Sequence, residues 1–169
     1  ISIILFSACV FIAVLRYIYK SQKKMIHQLK DFAFVDPITN GVNSLAFQME
    51  GSRMISEAEP GSYAVVFFNI INFKQVNERW GITEGNKVLK YIYGSMLEIL
   101  APDECAARSE IDHYFLLLRY TSEDELKTRI SDLVERIDSF KNCSEIKKTK
   151  FNFDFSIGIY VIEDITEEI

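Results

Sequence analysis

Residues 63–78 read YAVVFFNIINFKQVNE, and the change of pattern inside this stretch decides the fold. From Tyr63 to Ile71 the chain is nearly continuous in apolar residues and is bounded by turn signals, with Pro60-Gly61 before it. Such a run fits a central strand buried on both faces. Downstream, 105–109 and 113–120 (HYFLLLRY) predict two strands joined by a short turn. Phe151, Phe153, Phe155, Ile157 and Ile159 alternate with Asn152, Asp154, Ser156 and Gly158, which predicts a strand with one face turned to the core.

Helices separate these strands. One is predicted from about Asn43 to Ala58, closed by Glu59-Pro60-Gly61. A second lies within 81–100, with Val88, Leu89, Ile92, Tyr93, Met96, Leu97 and Leu100 along one stripe. A third follows Ser122 and Glu125, which have the spacing of a capping box, and carries Leu126, Ile130, Leu133 and Ile137. Ahead of the first helix, Asp36-Pro37-Ile38-Thr39-Asn40-Gly41 is rich in turn residues. The order helix, strand, helix, hairpin, helix, strand implies a layered α/β or α+β domain with a mostly antiparallel sheet flanked by helices.

The N-terminal segment has a different character. Ile1 to Leu15 carries no charge, and Arg16, Tyr17, Tyr19, Lys20, Lys23 and Lys24 follow. Counted to Tyr19, a helix would span about 28 Å, close to a bilayer core, with tyrosines at headgroup level and cations behind them. Residues 1–19 therefore read as a transmembrane helix, with a cleavable signal region and a buried helix as alternatives. Residues 20–33 read as a helical linker, with Met25, Leu29 and Phe32 spaced for one seam of a paired helix. On that reading the protein sits in the cell membrane by a single or last span, with its soluble domain in the cytoplasm.

A net charge of −5 gives no reason to expect a nucleic-acid partner, which would want clustered cations. Cys9, Cys105 and Cys143 form no paired or metal-binding spacing and read as buried free thiols in a reducing compartment. His27 and His113 are the only histidines and offer no zinc site.

Several segments, in order, resemble the bacterial GGDEF (diguanylate cyclase) family over 34–169. Asp36-x-Ile38-Thr39-x-Gly41-x-Asn43, with Phe47 behind, is similar to the opening D-x-L-T-G-L/G-x-N-R-x-x-F. Asn69 to Glu78, then Gly81, Gly85, Asn86, Val88 and Leu89, is similar to D-x-D-x-F-K-x-I-N-D…G-H-x-x-G-D-x-x-L. Arg108 to Phe115 stands where R-x-G-G-D-E-F would, and Ser156-Ile157-Gly158 matches an S-x-G strand. The resemblance implies a nucleotidyl-cyclase-like, ferredoxin-like or palm-like α+β fold, a distant palm-like relative being the alternative. The family continues for a further helix and strand, so the chain reads as a fragment of a larger membrane signalling protein.

The resemblance also implies what a cyclase site would need. Magnesium ligands are assigned to Asn69, the carbonyl of Ile70, and Asp112. Asn69 supplies a neutral oxygen where a hard divalent ion wants carboxylate. His113 stands at the signature's glutamate, and imidazole is a poor magnesium partner. Glu110 and Ile111 replace its glycines, adding a charge near phosphate and a branched side chain in a turn suited to glycine. For the nucleotide, Asn77 and Asn86 fall at guanine-binding positions and Lys74 at a phosphate-binding one. Asn86 replaces a carboxylate, Asn77 reads equally as a cap or turn residue, and Lys74 as a solvated lysine. Ile82 and Ser44 replace a histidine and an arginine. The inhibitory R-x-x-D motif falls on Ala101-Pro102-Asp103-Glu104, so the grip of its arginine is lost.

These readings lead to a catalytically degenerate regulatory or dimerisation domain in cyclic di-GMP-type signal transduction. Its expected partners are the lipid membrane, a second copy, and a downstream domain or protein. No cofactor is expected, with Mg²⁺ and GTP admitted only if a vestigial site survives. The alternatives are a regulatory domain ahead of an EAL-type phosphodiesterase, a residual GTP-binding or weak cyclase domain, and a membrane-anchored structural module with no nucleotide connection.

Overall fold

The computed structural model describes residues 2–139 and 153–164. Helix α1 spans Ser2–Phe34 and α2 Ser44–Ser56; β1 (Tyr63–Ile70) is followed by α3 (Phe73–Trp80) and α4 (Ile82–Leu97). The hairpin β2 (Cys105–Arg108) and β3 (His113–Arg119), helix α5 (Glu123–Ser139) and β4 (Phe155–Val161) complete the order. The sheet order is β2-β3-β1-β4, and every pairing is antiparallel. The α+β, mostly antiparallel architecture expected from the strand patterns is therefore present.

The expected transmembrane helix is not. α1 is a single 33-residue helix, and among the described residues no helix is long and apolar enough to cross a membrane. The uncharged run stops at Leu15, enough for about 22 Å of helix against a bilayer core of about 30 Å. Beyond it Arg16, Lys20, Lys23 and Lys24 interrupt the apolar pattern. The lipid partner and the membrane location fall with it. Side chains from Phe11 to Ile26 are exposed, Met25 and Leu29 of the expected seam among the most exposed; that of Phe32 lies outside the described residues.

β1 is central, as its composition demands, with Val66 opposite Leu116 on β3 and Ile159 on β4. Its faces are unequal. Ala64, Val66, Phe68 and Ile70 are almost fully buried, whereas Val65, Phe67 and Asn69 are only half-buried, which corrects the expectation of burial on both faces. The buried side packs on Leu89, Ile92 and Met96 of α4 and on Leu133 and Ile137 of α5. On the other side α2 brings Phe47 and Ile55 against Ala107 and Leu117, covering the β2–β3 half.

The helix caps follow the sequence. Asn43 is the N-cap of α2, its Oδ1 accepting from the Ala46 N–H at 3.0 Å. The Ser122 hydroxyl accepts from the Glu125 N–H, while the Glu125 carboxylate is held by the Thr121 hydroxyl. α3 is an element the sequence did not reveal, because Phe73 and Val76 are its only buried residues and it opens on Asn72 at φ 60°. β4 starts at Phe155 rather than Phe151; residues 151 and 152 lie outside the described residues. Cys105 is half-buried and free, while the side chains of Cys9 and Cys143 lie outside the described residues.

The turn before α2 is fixed by one ring. The Tyr93 hydroxyl accepts from the Val42 N–H at 2.9 Å and donates to the Ala106 carbonyl at 3.2 Å. A Cβ on Gly41 would fall inside that ring. Gly41→Ala should therefore destabilise the domain by about 2 kcal/mol, the range of an overpacked core, with urea unfolding as the measurement. An unchanged midpoint would show that the ring yields freely.

Candidate functional site at the β2–β3 hairpin

The hairpin tip is held from below by a buried ion pair. Arg108, 4% exposed, donates from Nη1 to Asp36 Oδ2 at 2.6 Å and from Nη2 to the Ile111 carbonyl at 2.5 Å. The other oxygen of Asp36 accepts from the Ile38 and Thr39 N–H groups and from the Thr39 hydroxyl. The Arg108 N–H donates to the Val42 carbonyl. The D-x-x-T turn and the signature arginine thus form one structural unit rather than a ligand site.

Above it the turn closes with the His113 N–H donating to the Glu110 carbonyl at 2.9 Å. Ile111 sits at φ 51°, the left-handed region that glycine occupies without strain, with its side chain 66% exposed. The tip has kept a backbone suited to glycine while carrying a β-branched residue. Glu110 is exposed beside it.

The sequence-derived ligand positions do gather here. Asn69 pairs across the sheet with His113 on one side and Ser156 on the other. The Asp112 carbonyl accepts from the Ile70 N–H at 3.3 Å, and the Asp112 carboxylate lies 3.7 Å from His113 Nε2. The His113 ring tilts against Phe67, with centroids 5.3 Å apart. Asn69 Oδ1 is buried and has no hydrogen-bond partner. Asn69 and Asp112 together offer one neutral oxygen and one carboxylate. Among the described residues there is no cluster of three or more His, Cys, Asp or Glu able to hold a metal ion.

The expected nucleotide contacts lie on α3 and α4. Lys74 is 87% exposed at the side chain and pairs with Glu78 at 3.5 Å. The Asn77 carbonyl accepts from the Gly81 N–H, and its side-chain Oδ1 is buried without a partner. That side chain occupies the space a Cβ on Gly85 would need. Asn86 is half-buried one residue further on.

Ala101 and Glu104, where an inhibitory motif would lie, build a corner the sequence gave no sign of. Glu104 accepts from Arg129 Nη1 and Nη2 at 2.7 and 2.6 Å, and from the Ala101 and Arg119 N–H groups. Burial pushes its carboxyl up, but the Arg129 and backbone hydrogen bonds together outweigh burial and hold it below the usual range. Beside it Asp103 pairs with Arg119 at 2.5 Å, and the Arg119 guanidinium lies over the Tyr63 ring.

The family pattern described as "Diguanylate cyclase, GGDEF domain" matches residues 33–169, and the chain belongs to this family. Among curated proteins it is similar to the probable diguanylate cyclase DgcT of Escherichia coli, 31% identical over 111 residues, covering 64% of this chain and 25% of that protein. It is also similar to the cyclic di-GMP phosphodiesterase PdeR of E. coli, 28% identical over 116 residues, covering 69% of this chain and 18% of that protein. The chain thus spans a quarter or less of the length of either. Among solved structures the coiled coil and GGDEF domain of DgcB from Caulobacter crescentus superimposes with TM-score 0.69 at 22% identity, covering 88% of this chain and 79% of that one. The S helix-GGDEF-EAL portion of Vibrio cholerae LapD gives 0.66 at 20%, covering 83% and 32%. At these identities the structural matches establish the fold. Family membership places the domain in cyclic di-GMP signalling.

Two predictions follow from this geometry. A β-branched residue in the left-handed region costs about 1–2 kcal/mol, while glycine loses up to about 1 kcal/mol of chain entropy on folding. Ile111 is exposed, so Ile111→Gly should give a net gain of up to about 1 kcal/mol in denaturant unfolding; a loss would mean the turn is unstrained. Glu104, with its depressed carboxyl, contributes stability that is full above the unfolded value of 4.5 and lost as pH falls through the lower folded value. Glu104→Gln should therefore flatten the acid limb of the stability–pH curve below about pH 5, and an unaltered limb would locate the acid sensitivity elsewhere.

Proposed function

We propose that this domain acts in cyclic di-GMP signalling as a regulatory GGDEF domain that makes no cyclic di-GMP itself. Membership of the family does not choose between activities, since DgcT is named a probable cyclase and PdeR a phosphodiesterase. The choice rests on the hairpin. The observation that carries it is the exposed Ile111 at φ 51°, flanked by Glu110 and His113, over a ligand pair reduced to Asn69 and Asp112.

The chemistry argues in one direction. Magnesium on a nucleotide triphosphate wants anionic oxygens in near-octahedral array. One carboxylate, with a neutral amide oxygen buried beside it, does not fit that ion, so no catalytic step is assigned to a metal here. An exposed glutamate in the turn opposes phosphate, and Lys74, paired with Glu78, is poorly placed to offset it. Losing a charge-assisted contact costs about 1.5–3 kcal/mol, so the changes at Asn69 and Asn86 together reduce nucleotide affinity by orders of magnitude. What remains is a well-packed domain whose folded surface, rather than its chemistry, is its output.

The purified chain with GTP and either Mg²⁺ or Mn²⁺ should form no cyclic di-GMP above a buffer control. Asn69→Asp alone should not restore it, because Glu110, Ile111 and His113 remain. Product that disappears in Asp112→Ala would overturn the proposal.

A further inference from the structure

The tip and the stalk of this domain complement each other. At the tip, Ile111 is 66% and Ile71 39% exposed, two large apolar side chains on either side of the hydrogen bond from the Ile70 N–H to the Asp112 carbonyl. Around them lie Glu110, Asp112 and Asp154, the last joined through its carbonyl to the Ile71 N–H at 2.8 Å. His113 Nε2 lies 3.7 Å from the Asp112 carboxylate, and Lys74 is engaged with Glu78. The surface is apolar at its centre and acidic at its margin.

Helix α1 has the opposite charge. From Ser2 to Lys30 it contains Arg16, Lys20, Lys23, Lys24 and Lys30 and no acidic residue. Between these cations Tyr19, Met25, Ile26 and Leu29 are 69%, 60%, 56% and 61% exposed. Within one chain nothing described covers this stretch.

The tip and the end of α1 are also tied to the same turn. Arg108 ties the Ile111 carbonyl to Asp36, and the Asn43 N–H and carboxamide tie the end of α1, at Phe34 and Ala33, to the same turn. At 1.5 Å per residue, Lys30 and Lys20 lie about 6 and 21 Å up the helix from Phe34.

We propose that the hairpin tip docks the basic, apolar 20–30 stretch of α1 from a second copy of this chain. This rests on reading the hairpin as a contact surface instead of a cyclase half-site. The isoleucines exclude water from the helix's apolar side chains, and Glu110, Asp112 and Asp154 face its lysines. Each copy supplies one tip and one helix, so the contact closes as a two-fold dimer.

Sedimentation of the full chain at moderate salt tests it. The wild type should dimerise. Glu110→Lys with Ile111→Asn, whose asparagine tolerates the left-handed turn, should weaken the dimer at least tenfold, as should Lys23→Glu with Lys24→Glu. Circular dichroism should show each variant folded. Mixing the two variants should restore dimers, because the reversed tip then meets the reversed helix and the two unaltered surfaces meet each other. A monomeric wild type, a tip variant that dimerises as well as wild type, or a mixture that stays monomeric would each overturn the contact. GTP turnover by the wild-type chain is read separately. A monomer without turnover removes this contact alone, whereas turnover removes the reading beneath it.

Discussion

The Asp36–Arg108 ion pair is the constraint on which the rest of the hairpin depends. Both side chains are about 5% exposed, and a charge so far from water persists only where its bonding capacity is met. Asp36 meets this condition, with Arg108 on one oxygen and three donors from Ile38 and Thr39 on the other. Arg108 meets it less completely, its Nε being buried without a partner. The pair is best understood as a geometric device. It fixes the carbonyl of Ile111 relative to the turn that ends α1, so the left-handed tip and the stalk helix form one body.

From this follows the asymmetry of the sheet. Because Arg108 and Val42 are joined through the backbone, α2 is drawn over β2 and β3. The β1–β4 half of that face keeps Phe67, Asn69 and Gly158 only partly covered or open. A row of rings runs across the boundary, Phe47 stacked on Phe115, then Phe67, then His113, with centroids 5.3 to 5.8 Å apart. That row connects the packed side of the face to the hairpin tip.

What the sequence made legible were features that depend on near neighbours. The apolar density of β1 and β3, the start of α2 near Asn43 and the Ser122–Glu125 spacing need only a few residues to be read. What stayed hidden depends on distant partners. Glu104 looked like a remnant of a motif, yet it is held by Arg129, 25 positions away. Burial on both faces of β1 was the natural reading of YAVVFFNII, but burial is decided by where α2 lies. α3 escaped because its eight residues bury little. The membrane reading failed on length, since the uncharged run ends at Leu15 and cations interrupt the apolar pattern beyond it.

The positions that match the family motif divide by what they touch, and the division decides which of them speak about function. Asp36, Thr39, Gly41, Asn43, Gly85 and Arg108 match the motif, and each is required by packing or backbone hydrogen bonds seen here. Their presence is accounted for by packing and backbone hydrogen bonds, so it does not by itself indicate catalysis. Asn69, Glu110, Ile111, Asp112 and His113 are different. Asn69 leaves an oxygen unpaired, Glu110 and Ile111 project into solvent, and the Asp112 and His113 side chains meet only loosely. Glycine at the exposed Glu110 would cost no buried contact, and at Ile111 it would relieve strain. Those two departures are therefore not concessions to stability. They sit where a ligand or a partner would be met, and an apolar, acidic tip suits a basic helix better than it suits a triphosphate.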